Sequence, residues 1–268
     1  MSPEQLLNQF KALRASGRDL IAQALVKDWI TSHRGVQDAA DAFHLGIALR
    51  PHSIHDAIWA YDVALAIHPG LWQAAVNKGL AQESQGQLLA AVMTWRQQLA
   101  LPQPPQTTLL NHIGRVLETV DRYQKAEHFL GLSLKLDPFQ SEVVHHFLHL
   151  RRKQCKWPLV PEWLSALRSE EDLLLDSGPF GALAQFDDPA QLRLAVERFV
   201  AHKLPAGGVE ALTPSPDWAH DRLRIGYFSA DFKAHAVSIL MAEVFELHDR
   251  NRVTVYGLDY SNPSPNSW

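Results

Sequence analysis

The chain has little that would suit a secreted or a nucleic-acid-binding protein. It contains one cysteine, Cys155, in 268 residues. That rules out an intrachain disulfide and suits a reducing compartment, so a cytoplasmic location is expected. The formal net charge is -4, and the densest basic run is Arg151-Arg152-Lys153. Charge therefore gives no argument for nucleic acid as a partner. No apolar stretch approaches a membrane span, and the start, Met1-Ser-Pro-Glu-Gln, lacks the basic and apolar regions of a secretory signal. Neither common glycine-rich phosphate loop occurs. What is present is an ordinary globular composition, 46% hydrophobic and 20% charged, in a chain long enough for two compact units.

Residues 1–36 read as helical, with apolar spacing at Leu6, Phe10 and Leu13 and again at Leu20, Leu25 and Trp29, and Gly35 is placed to stop the second helix. From Asp38 onward the chain repeats. Ala57, Tyr61, Ala64 and Pro69 stand at relative positions 0, 4, 7 and 12; the frame returns 34 residues later at Ala91 and Trp95, and 35 residues after Ala91 at Ala126, with Leu130, Ser133 and Pro138. Gly79 and Gly114 lie twelve residues before Ala91 and Ala126, whereas Gly46 in the first copy is shifted by one. The extra residue of the third copy falls within Pro102-Gln-Pro-Pro105, where an insertion costs little.

This frame resembles the tetratricopeptide repeat, a helix-turn-helix unit of about 34 residues. Small residues at the glycine and alanine positions would let paired helices approach closely. Tyr61, Trp95 and Leu130 are expected to fill the gap to the next repeat, and the prolines to terminate each second helix. Residues 37–150 are thus expected to form a mainly α solenoid whose concave face holds a protein or peptide, or which only supports its neighbour.

A further helix is predicted from Ser141 to Gln154. It carries His145, His146 and His149, and His145 and His149 share a face by spacing. No glutamate follows His145 as a zinc-protease motif requires, and Cys155 is isolated, so no metal site is assigned. Short amphipathic helices are predicted between Trp157 and Asp176, and a longer one from Asp188 to His202. Residues 151–220 read as a helical joint ending in the Pro/Gly-rich run Pro205-Ala-Gly-Gly208 and Pro214-Ser-Pro216.

The segment from 221 to 268 changes character. The apolar run Leu223 to Ser229, helical spacing through Leu240, Val244 and Leu247, and a second run from Val253 to Tyr260 predict strand, helix and strand. The connection is too long for a hairpin, so the strands should be parallel neighbours. His235 then lies in the loop beyond the carboxyl end of the first strand, where open α/β sheets bind ligands.

The order of repeats, joint and this last segment resembles the N-terminal part of the O-linked N-acetylglucosamine transferases, in the bacterial tetratricopeptide-containing branch related to the plant SPINDLY proteins. The residues that carry the resemblance are Arg224-Ile-Gly-Tyr-Phe-Ser-Ala-Asp-Phe232 with His235, then Phe245-Glu-Leu-His248, Val253-Thr-Val-Tyr256 and Arg151-Arg-Lys-Gln-Cys-Lys-Trp157.

The resemblance implies a Rossmann-like GT-B catalytic lobe beginning near residue 221. The activity implied is transfer of a sugar, N-acetylglucosamine, from a UDP-sugar donor to serine or threonine of proteins presented by the repeats. It places His235 beside acceptor and sugar, as a general base or an orienting group; from spacing alone, a histidine that merely caps the loop is an equal reading. Where the family often has glycine and proline, Lys233 and Ala236 stand here. Its groove asparagine two residues before the repeat glycine is matched by Asn77, but His112 and His44 occupy the other two positions. Asn77 and His112 are the acceptor-groove candidates.

No counterpart of the family's donor lobe is found in the sequence, so a further C-terminal lobe or a covering partner is expected. The chain by itself is expected to bind no cofactor and to be inactive. The alternative function is a non-catalytic repeat adaptor that binds a protein segment.

Overall fold

The computed structural model describes residues 3–32, 36–102, 106–204 and 221–261. The predicted helix stop at Gly35, most of the Pro102–Pro105 loop and the Pro205–Pro216 run lie outside the described residues. The chain divides into two compact units, residues 1–206 and 207–268.

The first unit is a helical solenoid. Helices α1 (Pro3–Ala15), α2 (Asp19–Ser32), α3 (Val36–Leu49), α4 (Ile54–Ile67), α5 (Trp72–Ser84), α6 (Leu88–Leu99), α7 (Gln106–Thr119) and α8 (Tyr123–Leu136) follow one another as hairpins. Each predicted repeat is one hairpin, and α4 and α8 stop just before Pro69 and Pro138, as the ring of a proline and its effect on the preceding residue require.

The glycines explain the repeat frame. A Cβ placed on Gly46 would stand 2.4 Å from the Tyr61 ring, one on Gly79 2.2 Å from the Trp95 indole, and one on Gly114 2.4 Å from the Leu130 side chain. The large residue of each second helix therefore lies on the bare backbone of the first helix in its own repeat. It also shares a core with the helix that follows, as expected: Tyr61 clusters with Ala74 and Ala81, Leu130 with Val143 and Phe147, and Trp95 stacks on His112 of the following repeat with ring centroids 4.9 Å apart. Helix α3 ends three residues after Gly46, where α5 and α7 end five residues after their glycines, and the contact of Gly46 with Tyr61 is kept despite the shift.

The N-terminal helices extend this stack. Helix α1 packs on α3, and α2 on α4, with Leu6, Phe10, Ala22, Val26 and Trp29 buried in one core with Leu45, Leu49 and Tyr61. Residues 3–32 are thus a fourth helical hairpin stacked on the three predicted ones. A second core runs from Ala91 and Trp95 through α7 and α8 into α9 (Ser141–Lys153).

The joint belongs to the same unit. Leu164 on the short helix α10 (Glu162–Ser165) and Leu173 on α11 (Glu170–Leu175) are buried in that second core. Leu175, Ala182 of α12 (Pro179–Leu183) and Ala195 of α13 (Pro189–Lys203) form a small third one. Arg151 ties joint to repeats: its Nε and Nη2 donate to the carbonyls of Leu159 and Pro158, each at 2.8 Å, and its Nη1 donates to Glu127 at 2.8 Å. The basic run is used for internal bonding.

The second unit is a βαβ motif. Strand β1 (Leu223–Ser229) pairs in parallel with β2 (Val253–Asp259), in register from Leu223 opposite Val253 to Ser229 opposite Asp259, with α14 (Ala236–Leu247) between them in sequence. Tyr227 sits between sheet and helix, its ring edge-on to Phe245 at 4.8 Å and its hydroxyl 2.7 Å from His248 Nε2. Phe228, Tyr256 and Leu258 remain exposed. Side chains alternate along a strand and Phe228 is paired with Leu258, so these three share a sheet face. Architecture and order are those of a tetratricopeptide solenoid followed by the opening of a Rossmann-like lobe.

Candidate functional site

Two places carry chemistry. The first is the loop at the carboxyl end of β1. His235 adopts an extended backbone at the N-cap of α14, and its Nδ1 accepts the backbone N–H of Val237 at 3.2 Å. An Nδ1 that accepts leaves the proton of the neutral ring on Nε2. Asp231 Oδ2 is 3.6 Å from the same Nδ1. The loop is held by Ser229 Oγ, which accepts from the Asp231 N–H at 3.0 Å, and by Ser238 Oγ, which donates to the Asp231 carbonyl. The His235 side chain is 44% exposed. The capping contact of His235 is present in the structure, and by tautomer it leaves Nε2 as the donor nitrogen.

The second place is the side of the solenoid formed by the first helices of the repeats. Here α7, α9, α13 and the Leu175–Gly178 turn enclose a cavity of about 600 Å³. Phe139 and Phe199 line it with Val143 and Leu175; Asn111 and His145 supply neutral polar groups. Its charged side chains are already paired. Lys203 Nζ lies 3.0 Å from Glu142, and Arg198 lies 2.9 Å from Asp172 and 3.8 Å from Asp176. Asp176 is also bound by Arg168 and by the Ser141 hydroxyl, both at 2.6 Å.

Two imidazoles on this side are held neutral. Burial, with the His146 and His149 charges as lesser causes, lowers the pKa of His145 against the raising effect of its bond to the Ser177 carbonyl. His112 is lowered by burial first and then by the neighbouring Arg115 cation. Arg115 and Glu83 form a bidentate pair between α7 and α5, two bonds of 2.6 Å, which drops the Glu83 pKa.

The groove candidates are not brought into the cavity. Asn77 donates its amide to the Gln73 carbonyl one turn earlier, at 2.9 Å, and His112 is taken up by its stack on Trp95. Asn111, one residue before His112, is the residue that lines the cavity. A helical face read through Asn111 and on to His145 would have pointed there, but the walls from α13 and the Leu175–Gly178 turn are not visible in any local pattern. Among the described residues no group of three or more His, Cys, Asp or Glu is placed to hold an ion.

Comparison with known proteins bears on the first place. Residues 199–266 match the family model described as glycosyl transferase family 41. The matched segment contains β1, the His235 loop, α14 and β2, and it begins near the end of α13. No curated protein matches the chain. Similar solved structures include a mutant of the Thermobaculum terrenum O-GlcNAc transferase, at 22% identity and TM-score 0.44, covering 85% of this chain and 38% of that one. They also include Pseudomonas aeruginosa pilF, at 15% identity and TM-score 0.48 over 75% of this chain and 91% of that one. A third is MamA from Desulfovibrio magneticus RS-1, at 16% identity and TM-score 0.43 over 63% and 95%. This chain therefore spans well under half the length of the transferase it is similar to.

Proposed function

We propose that this chain is the acceptor-presenting part of a protein glycosyltransferase, one that moves N-acetylglucosamine from a UDP-sugar to serine or threonine side chains. The observation that carries the reading is the position of His235, which stands in the segment matched by the family-41 model, in the loop beyond the carboxyl end of a parallel strand, with a side chain 44% exposed. Transfer joins the acceptor oxygen to the anomeric carbon and breaks the bond to the diphosphate, whose electron pair leaves with UDP; the hydroxyl proton passes to a base. With Nδ1 occupied by the Val237 N–H, His235 fits the role of a donor that orients acceptor or sugar through Nε2–H. A shift of its proton to Nδ1, facing Asp231, would convert it to a base.

The solenoid supplies the acceptor polypeptide along its groove, on the face of the first helices. The donor site is supplied by a further lobe or a covering partner, for which the uncovered sheet face at Phe228, Tyr256 and Leu258 is the support. Cytoplasmic location goes with this reading.

Its test is a mass-spectrometric census of sugar-modified serine and threonine peptides in the source cells, with and without the gene. The proposal expects N-acetylglucosamine on a defined peptide set that disappears with the gene. An unchanged set would return the protein to the adaptor class.

A further inference from the structure

Besides the α7/α9/α13 cavity, a cleft of about 310 Å³ opens between α8 and the joint. One side of it is apolar. The Phe147 and Trp163 rings meet edge to face at 5.8 Å and pack against the bare backbone of Gly131, where a Cβ would stand 3.3 Å from the first ring and 3.7 Å from the second. Leu132 extends this side toward solvent, with 36% of its surface exposed.

The rest of the lining is cationic. Its one carboxylate, Glu127, is met on both oxygens: Oε1 by Arg151 at 2.8 Å, and Oε2 by Gln154 at 3.0 Å and by Lys156. Arg151 is held further by the Leu159 and Pro158 carbonyls. Lys135 is different. No carboxylate lies within ion-pair distance of it among the described residues, and its ammonium stands over the Trp163 ring, 5.2 Å from the centroid. A ring face compensates an ammonium only in part and leaves its N–H donors to be used. Three cations thus share one carboxylate, and His128 and Gln124, the other polar side chains of the lining, add no negative charge. That surplus favours an anion and disfavours a cation, because the field of the two paired cations is offset by a single acid.

We infer that this cleft binds a small organic anion, a carboxylate or a phosphate monoester on an apolar body, with the charge on the Lys135 ammonium and the body against Leu132 and the rings. About 310 Å³ is at the lower end of ligand pockets, which suits a small molecule better than a length of polypeptide. The inference is independent of the role proposed for His235.

The test is a titration of the full chain, ¹⁵N-labelled at tryptophan, with phenyl phosphate and benzoate as probes. Benzyl alcohol, benzylammonium and inorganic phosphate are the controls, at matched ionic strength. The Trp163 indole signal, assigned by its loss in Trp163→Phe, is followed by NMR. At least one probe should shift it saturably, and the three controls should need about tenfold more ligand or more. Lys135→Met keeps the apolar stem and removes the charge; it should leave the circular dichroism spectrum unaltered and weaken the probe roughly tenfold. Lys135→Gln should do the same. No saturation with either probe overturns the inference, as does equal binding of the neutral, the cationic or the inorganic control. Unchanged probe affinity in both Lys135 variants overturns it as well.

Discussion

A methyl group added at Gly79 would meet the rigid Trp95 indole at 2.2 Å, whereas one at Gly114 would meet the ends of the flexible Leu130 side chain at 2.4 Å. Both positions are interior to helices, where alanine is otherwise the better residue. Overpacking should decide the outcome at Gly79, with Gly79→Ala costing about 1–3 kcal/mol and Gly114→Ala distinctly less, as read from urea unfolding midpoints. Equal losses would mean that the Trp95 contact does not set the repeat.

The buried imidazoles give a pH signature. His112 and His145 have folded pKa values lowered below the unfolded value of about 6.5, so protonation favours the unfolded chain. Their contribution is fully present above about pH 6.5 and is lost as pH falls through the lowered folded values. Melting temperature should therefore drop between about pH 7.5 and pH 5, with a smaller drop in His145→Phe. A flat profile would contradict their burial. Much at this scale was legible beforehand, since the glycine, alanine and proline positions announce the frame. The stack of His112 on Trp95 and the bond from Asn111 to Gln140 depend on tertiary neighbours and have no local signal.

Among the elements, the joint depends on one side chain. Arg151→Ala would leave the Leu159 and Pro158 carbonyls and Glu127 without this donor in a largely buried setting, and should cost about 3 kcal/mol in unfolding free energy. Arg151→Lys should recover only part, because a point charge cannot make three diverging bonds. The sequence showed this arginine as part of a basic cluster; its partners 7, 8 and 24 residues away show its use. Helix, strand and parallel pairing in the last segment were predictable because period and connection length both constrain them. The stacking of α1 and α2 onto the repeats was not, since that hairpin has Phe10 rather than glycine twelve residues before Ala22 and joins through ordinary apolar residues such as Leu6, Phe10 and Val26.

At the scale of the whole molecule, the solenoid and the βαβ unit differ in how far they are covered. The solenoid buries Trp95, Tyr61 and Phe10 completely, while α14 has no buried residue and leaves Ile239 and Leu240 more than three-quarters exposed. A parallel sheet is ordinarily covered on both faces, and these exposed side chains are the support for the proposed donor lobe or partner.

The role proposed for His235 is in sugar transfer to a polypeptide. The direct measurement uses the protein purified from its own cells, wild type or with His235→Ala at the native locus, given UDP-N-acetylglucosamine and a serine- and threonine-containing peptide. Sugar on the peptide is counted by mass spectrometry, with the melting curve as control for the lost α14 cap. The account predicts transfer by the wild type and a fall of about a hundredfold or more in the variant, the scale expected for loss of one positioned donor. Transfer undiminished in His235→Ala, or no transfer by the wild type, would contradict it.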